Sequence, residues 1–257
     1  MKPLRFQIAS DLHIEKLFPK KIQITDFLVP DDSVDFLILA GDIGSIYQEE
    51  HLRYFFSTCK KIFDKVIFVP GNNEYYLRDG FEPKSMKELN EIVERICQEE
   101  NIILLQNAYI ESETHIIFGS SWWSYIPNVL TMKIFQDDRV TPILPSEFNS
   151  MHFVCRMSLD KLINQNQGKK ELIVITHYCP TKLGTMNNHH KKDDFKSLIP
   201  YYFSSSERYL TKKNVSTWIF GHTHVFRDFY FCSNETRIIS NADPRKKFFQ
   251  KQFVITV

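Results

Sequence analysis

The chain has 257 residues, of which 43% are apolar and 14% aromatic, so it can bury a substantial core. Its 32 basic and 31 acidic residues leave a net charge of +1, which argues against long nucleic acid or an anionic membrane as partner and leaves a short oligonucleotide open. The longest uninterrupted apolar run, Phe36 to Ala40, is far too short to span a bilayer, and Met1-Lys2-Pro3 leads into a strand pattern without a signal-peptide core.

In chain order, Leu4 to Ala9, Val34 to Ala40 and Lys65 to Val69 read as strands, the second almost continuously apolar, as in a sheet buried on both faces. Between the second and third, Leu52, Phe55/Phe56, Cys59 and Ile62/Phe63 recur at helical spacing over Tyr47 to Phe63, a β–α–β signal. Ser85 and Glu88 have capping-box spacing ahead of a helix whose apolar face is Met86, Leu89, Ile92/Val93 and Ile96.

Short strands are expected at Ile102 to Leu105, Tyr109 to Glu111 and His115 to Gly119, and Ser146 is placed to cap a long helix reaching about Gln165. A second series follows: strand Leu172 to Thr176, a helix near Ser205 to Lys212, strand Thr217 to Gly221, and terminal strands near Phe229, Ile238 and Val254. Helices between buried strands in both halves predict an α/β fold with two sheets enclosed by helices. No repeat and no Pro/Gly/Ser linker divides the chain, so one domain over residues 1–257 is expected. Ser121 to Pro145, Pro180 to Pro200 and Ala242 to Lys247 read as loops, and long loops in a compact domain are more often functional rims than linkers.

Five short blocks follow these strands: Asp11-Leu12-His13, Gly41-Asp42-Ile43-Gly44, Gly71-Asn72-Asn73-Glu74, Thr176-His177 and Gly221-His222-Thr223-His224. They supply only oxygen and imidazole nitrogen, a set that suits Mn, Fe or Zn. Asp11 and His13, two apart, can reach one cation from a strand end. Asp42 has two oxygens and can bridge two cations, and Asn72 can offer a neutral amide oxygen to the second. His177, His222 and His224 complete two sites of four protein ligands each.

These blocks, in this order, resemble the calcineurin-like metallophosphoesterase superfamily, whose pattern is D-x-H, G-D-x-x, G-N-H-[DE], a lone His after a strand, and G-H-x-H. The resemblance implies a four-layer αββα sandwich, two mixed β-sheets flanked by helices. It implies Asp11, His13, Asp42 and His224 on one divalent metal ion and Asp42, Asn72, His177 and His222 on the other, with Mn favoured for activity. A metal-bridging hydroxide is then the nucleophile and a small phosphoester the substrate.

The third block departs from the pattern: Asn73 stands where the family has a His that assists the leaving oxygen. An amide can donate a hydrogen bond but cannot transfer a proton at useful pH, and general-acid assistance typically contributes about 10²–10⁴-fold when the leaving group is poor. Asp42 and Asn73 are therefore the candidate catalytic pair, and phosphodiesters or esters with good leaving groups are expected to be favoured over alkyl monoesters. The alternatives are a phosphomonoesterase or protein phosphatase, or a scaffold of the same fold with little turnover.

Several other residues admit two readings. Tyr178 either lines the substrate pocket or packs. Trp122 and Trp123 form either a stacking surface or packing under a loop, and packing is the simpler reading. Cys179 reads as a buried apolar residue rather than a nucleophile. His189 and His190 sit in a polar loop that could serve as a rim, and Asp137, Asp138 and Arg139 could tie a rim together. Arg245, Lys246 and Lys247 read as soluble surface, His51, His115 and His152 as structural, and Glu74 as a buttress for the third block. Cys59, Cys97, Cys155, Cys179 and Cys232 lack a CxxC pair, so free thiols in a reducing, cytoplasmic setting are expected.

Overall fold

A computed structural model describes residues 3–125, 145–184, 204, 206–231 and 236–257. The first half contains β1 (Arg5–Ala9), β2 (Phe36–Ala40), α1 (Glu49–Lys60), β3 (Val66–Val69), α2 (Met86–Glu99) and β4 (Ile103–Leu104). It continues with β5 (Ala108–Glu111), β6 (His115–Ser120), α3 (Pro145–Asn166), β7 (Glu171–Thr176) and α4 (Glu207–Leu210). The remaining strands are β8 (Val215–Ile219), β9 (Arg227–Phe231), β10 (Thr236–Ser240) and β11 (Val254–Thr256).

They form a five-stranded sheet in the order β11-β1-β2-β3-β4 and a six-stranded sheet in the order β5-β6-β7-β8-β10-β9. Both sheets are mixed: β11 runs antiparallel to β1, β5 to β6 and β9 to β10, and the other pairs are parallel.

The period of two along each strand assigns its side chains to two cores. Phe6, Ile8, Ile38 and Ile67 from the first sheet pack with Ile117, Ile173, Ile175, Ile219 and Ile239 from the second. The alternate residues face helices: Leu37, Leu39 and Phe68 share a core with Leu52, Phe55 and Phe56 of α1 and Leu89, Val93 and Ile96 of α2. Phe118, Leu172 and Val174 share that core with Leu159 and Leu162 of α3. The result is helix, sheet, sheet, helix, the expected four-layer sandwich.

The capping box forms: Ser85 Oγ accepts from the Glu88 N–H at 3.2 Å, and the Ser85 N–H donates to Glu88 Oε2 at 2.7 Å. Such a cap contributes about 1 kcal/mol. The helix predicted over Tyr47 to Phe63 is shorter than its apolar pattern, because Phe63 still packs in the core after the chain has turned toward β3. Similarly, the helix expected over Ser205 to Lys212 is a single turn, Glu207–Leu210. Among the described residues no helix is long and apolar enough to cross a membrane.

Candidate metal centre

The parallel strands β1, β2, β3, β7 and β8 end at Ala9, Ala40, Val69, Thr176 and Ile219, and the candidate ligands of each predicted block lie just past one of these ends. The backbone there is unusual. Asp11, His13, Asp42, His222 and His224 have φ of 56°, 52°, 53°, 66° and 53°, a left-handed conformation that costs a non-glycine residue about 1–3 kcal/mol. Specific hydrogen bonds impose it. The Asp11 N–H donates to the Gly41 carbonyl at 2.9 Å and the His13 N–H to the Asp42 carbonyl at 3.0 Å. Across the sheets, the His222 N–H donates to both Asp11 carboxylate oxygens at 3.1 and 3.0 Å.

Glu74 ties the second and third blocks together. Its fully buried carboxylate accepts from the N–H groups of Asp42 (2.9 Å), Ile43 (2.6 Å), Gly44 (3.1 Å) and Gly71 (2.6 Å). Burial first, and the Asp42 carboxylate second, push its carboxyl up to about 8, against the pull of these donors. The third block also needs a glycine for close approach, since a Cβ on Gly71 would press on the Asp42 carboxylate and on Cδ2 of His177.

Donor atoms of Asp11, His13, Asp42 and His224 all lie within 4.8 Å of one another, as do those of Asp42, His177 and His222. In the first group His224 Nε2 is 3.2 Å from Asp11 Oδ1, and His13 Nε2 is 3.4 Å from His224 Nε2 and 3.9 Å from Asp42 Oδ2. In the second, His177 Nε2 is 3.2 Å from Asp42 Oδ1 and 3.2 Å from His222 Nδ1. Asn72 Oδ1 joins it, 3.1 Å from His177 Nε2. Asp42 belongs to both groups, one oxygen toward each.

The chemistry of these donors fits cations. His177 Nδ1 faces the Ala40 carbonyl at 3.0 Å, His13 Nδ1 the Glu15 carboxylate at 3.0 Å, and His224 Nδ1 the Asp243 carboxylate at 2.9 Å. An N–H at each Nδ1 satisfies these acceptors, which leaves the Nε2 lone pairs of the neutral rings converging on carboxylate and amide oxygens. Lone pairs facing lone pairs in a buried site require a cation or protons between them.

Without metal, protons serve. Burial disfavours charge on His177, but the Asp42 carboxylate outweighs it and raises the imidazole to about 9. His224 is likewise opposed by burial and raised to about 10 by Asp11 and Asp243. Burial also opposes ionisation of Asp42 and Asp11, yet the imidazoles hold both carboxyls below the usual range.

Asn73 is buried beside this centre; its N–H donates to Asp42 Oδ1 at 2.8 Å, while its side-chain Nδ2 has no hydrogen-bond partner. Tyr178 is buried with its ring 4.2 Å from that of His222, at 31°. Trp122 and Trp123 pack, the first donating Nε1–H to Ser206 Oγ at 2.7 Å and contacting Trp218, the second against Phe148 and Tyr178. His51, His115 and His152 are buried on the Lys20 carbonyl, the Thr114 hydroxyl and the Trp123 carbonyl, apart from either donor group. Cys59, Cys97, Cys155 and Cys179 are buried free thiols. Asp137, Asp138, Arg139, His189, His190 and Cys232 lie outside the described residues.

Three supporting groups escaped the sequence reading. Glu15 sits behind His13, two residues on, and the D-x-H-x-E spacing was its signal. Asp243 sits behind His224 and accepts from Arg245 Nε at 2.6 Å, so Arg245 belongs to the centre's periphery rather than to plain surface. Tyr76 accepts from Asn72 Nδ2 at 2.7 Å and thereby turns the amide oxygen toward His177.

The model of the family described as calcineurin-like phosphoesterase matches residues 4–226, which span every block. The chain belongs to the calcineurin-like phosphoesterase family. Its sequence is 28% identical over 253 residues to the mimivirus protein L509 of Acanthamoeba polyphaga mimivirus, covering 90% of this chain and 88% of that one. Among solved structures, the phosphopantetheinyl hydrolase PptH from Mycobacterium tuberculosis aligns with a TM-score of 0.66 at 17% identity, over 99% of this chain and 96% of the other. A dimetal phosphatase from Danio rerio aligns at 0.54 and 11% identity, over 95% and 88%. At these identities the two structures establish a shared fold: two mixed β-sheets with flanking helices, as in other calcineurin-like phosphoesterases. Membership of the family supports hydrolase chemistry.

Proposed function

We propose that this chain is a dinuclear, metal-dependent phosphoester hydrolase that favours phosphodiesters, or esters with acidic leaving groups, over alkyl monoesters. The observation that carries the reading is the meeting of two donor groups on one carboxylate, Asp42, at the C-terminal ends of strands from both sheets. Asp11, His13, Asp42 and His224 would hold one cation, and Asp42, Asn72, His177 and His222 the other. Bound there, two divalent ions would lower the pKa of water to about 7 and neutralise phosphoryl oxygens. Mn²⁺ is the cation proposed for assay, since the donors are oxygen and imidazole without thiolate.

The protein's own part is to hold these donors on a strained, hydrogen-bonded backbone and to manage the leaving group. The Asn73 amide is the feature that favours diesters. Its Nδ2 can donate a hydrogen bond to an oxygen but no proton, so a leaving group that departs as a stable anion suits it better than an alkoxide. A small phosphoester is the proposed partner, and the four buried free thiols support a reducing, cytoplasmic compartment.

The test is a panel of mono-, di- and cyclic phosphoesters with Mn²⁺, run on wild type and Asn73→His. The expected result is diester turnover by wild type and a gain in monoesterase activity of at least tenfold in the variant. A wild-type preference for alkyl monoesters would overturn the leaving-group argument. Stoichiometric metal without turnover of any ester would favour a scaffold.

A further inference from the structure

The ends of the strands away from the metal centre hold two adjoining cavities. The larger, of about 510 Å³, is bounded by Glu113, Thr114, Lys169, Glu171, Lys213 and Asn214, and its size is that of small-ligand sites in general. It lies where β7 and β8 begin. From Glu171 to Thr176 strand β7 advances about 17 Å at the usual rise per residue, which sets the cavity well apart from the donor groups. Backbone hydrogen bonds tie its three loops together: the Glu171 N–H donates to the Thr114 carbonyl at 3.0 Å, and the Leu172 N–H to the Asn214 carbonyl at 2.7 Å. Gln167 and Gly168, with φ of 50° and 74°, turn the chain out of α3 and bring Lys169 to the cavity wall.

The charged groups here divide into engaged and unengaged. Lys170 donates to Glu111 Oε2 at 2.9 Å and to the Ser112 carbonyl at 2.7 Å, and Glu171 lies 3.7 Å from His115 Nε2. Among the described residues Lys169, Lys213 and Glu113 have no such partner. The second cavity, of about 210 Å³, shares Lys169 and Lys170 with the first and is walled by Tyr109, Ile116 and Leu162. Tyr109 is 46% exposed there, an aromatic ring on an apolar wall next to a basic one.

We propose that the two cavities together bind a nucleoside monophosphate, at a site separate from the metal centre. Lys169 and Lys213 meet the phosphate dianion as point charges. Glu113, an acceptor only, takes ribose hydroxyls. The base stacks on Tyr109 against Ile116 and Leu162, and since every base has a π-face, this contact sets no base preference. A free phosphate would leave Tyr109 and Glu113 idle, and a nucleoside would leave both lysines idle; the nucleotide engages all four. None of the seven candidate metal ligands takes part, so this site and the hydrolase reading stand or fall separately.

The experiment is calorimetry with AMP, ribose 5-phosphate and adenosine on the full chain, Mn²⁺-loaded and after chelation. AMP should bind the chelated protein at one site, at least tenfold more tightly than either fragment. The double substitution Lys169→Ala, Lys213→Ala should weaken AMP at least tenfold. Both lysines are exposed, so the fold should survive, and melting curves verify it. Tyr109→Ala should weaken AMP about tenfold and leave ribose 5-phosphate unchanged, in line with the loss of one stacked base. Disappearance of AMP binding on chelation would place the nucleotide at the metal centre and overturn the proposal. Equal AMP affinity in the lysine variant, or equal affinity of AMP and ribose 5-phosphate for wild type, would also overturn it.

Discussion

The Asp243 carboxylate lies 2.9 Å from Nδ1 of His224, on the side of the ring away from Asp11. One imidazole is thus held between two carboxylates, one fixing its orientation and the other sharing its proposed cation. Arg245 closes the chain by donating to both Asp243 oxygens, at 2.6 and 3.0 Å.

Asp243→Asn should weaken metal binding about 10–100-fold, the usual cost of removing a carboxylate behind a ligating imidazole. Asn tolerates the left-handed backbone found at this position, where φ is 59°, so the loop should keep its shape. Competition against a chromophoric chelator measures the change. Unaltered affinity would show that Asp243 does not orient His224.

Tyr76→Phe removes the acceptor that turns the Asn72 amide. The expected effect is selective: about three- to tenfold weaker occupancy of the second cation, in line with the net value of one hydrogen bond. The first cation should bind as before. Mn²⁺ titration followed by electron paramagnetic resonance distinguishes the two.

Metal uptake should release protons. His177 at about 9 and His224 at about 10 are both charged at pH 7 in the metal-free protein, and each must lose its proton to bind a cation through Nε2. Calorimetry at pH 7 in buffers of different ionisation enthalpy should report about two protons released. A value near zero would contradict the raised imidazoles.

The same shifts set a pH dependence of stability. Both imidazoles lie above their ordinary value of 6.5, so their contribution is complete below about pH 6.5 and is lost as pH rises through 9–10. The metal-free protein should therefore melt at progressively lower temperature between about pH 7 and 10. The Mn²⁺-loaded protein should lack this trend, because its imidazoles are already neutral. Differential scanning calorimetry of both forms tests it.

At pH 9, above the value of about 8 to which its carboxyl is raised, Glu74→Gln should destabilise the fold by about 3 kcal/mol. It replaces one of two acceptor oxygens with a donor facing backbone N–H groups, which leaves buried donors unpaired. Urea denaturation provides the measurement.

Much of this architecture was legible in the sequence because period and composition act locally. The continuous apolar run Phe36–Ala40 and the spacing of Leu89, Val93 and Ile96 identify a strand and a helix face without knowledge of the rest. The metal-ligand candidates were readable because each follows a strand end. What escaped was set by side-chain direction, which spacing alone does not give. Asp243 meets His224 through a loop whose basic residues drew attention, and Tyr76 looked like one aromatic among many. In α1 the apolar period outran the helix because Phe63 still packs in the core beyond the last helical residue, Lys60.

The hydrogen bond from His222 to Asp11 joins residues 211 apart in sequence, and Asp243 lies further along still. During vectorial synthesis Asp11, His13 and Asp42 therefore leave the ribosome long before His222 and His224. The emerging chain would carry Asp11, His13 and Asp42 for most of its translation without the His224 that completes their donor group. Capture of the metals then becomes a late event, one that reports completion through residue 243, and a ribosome stalled before His222 would yield a chain without either full donor group.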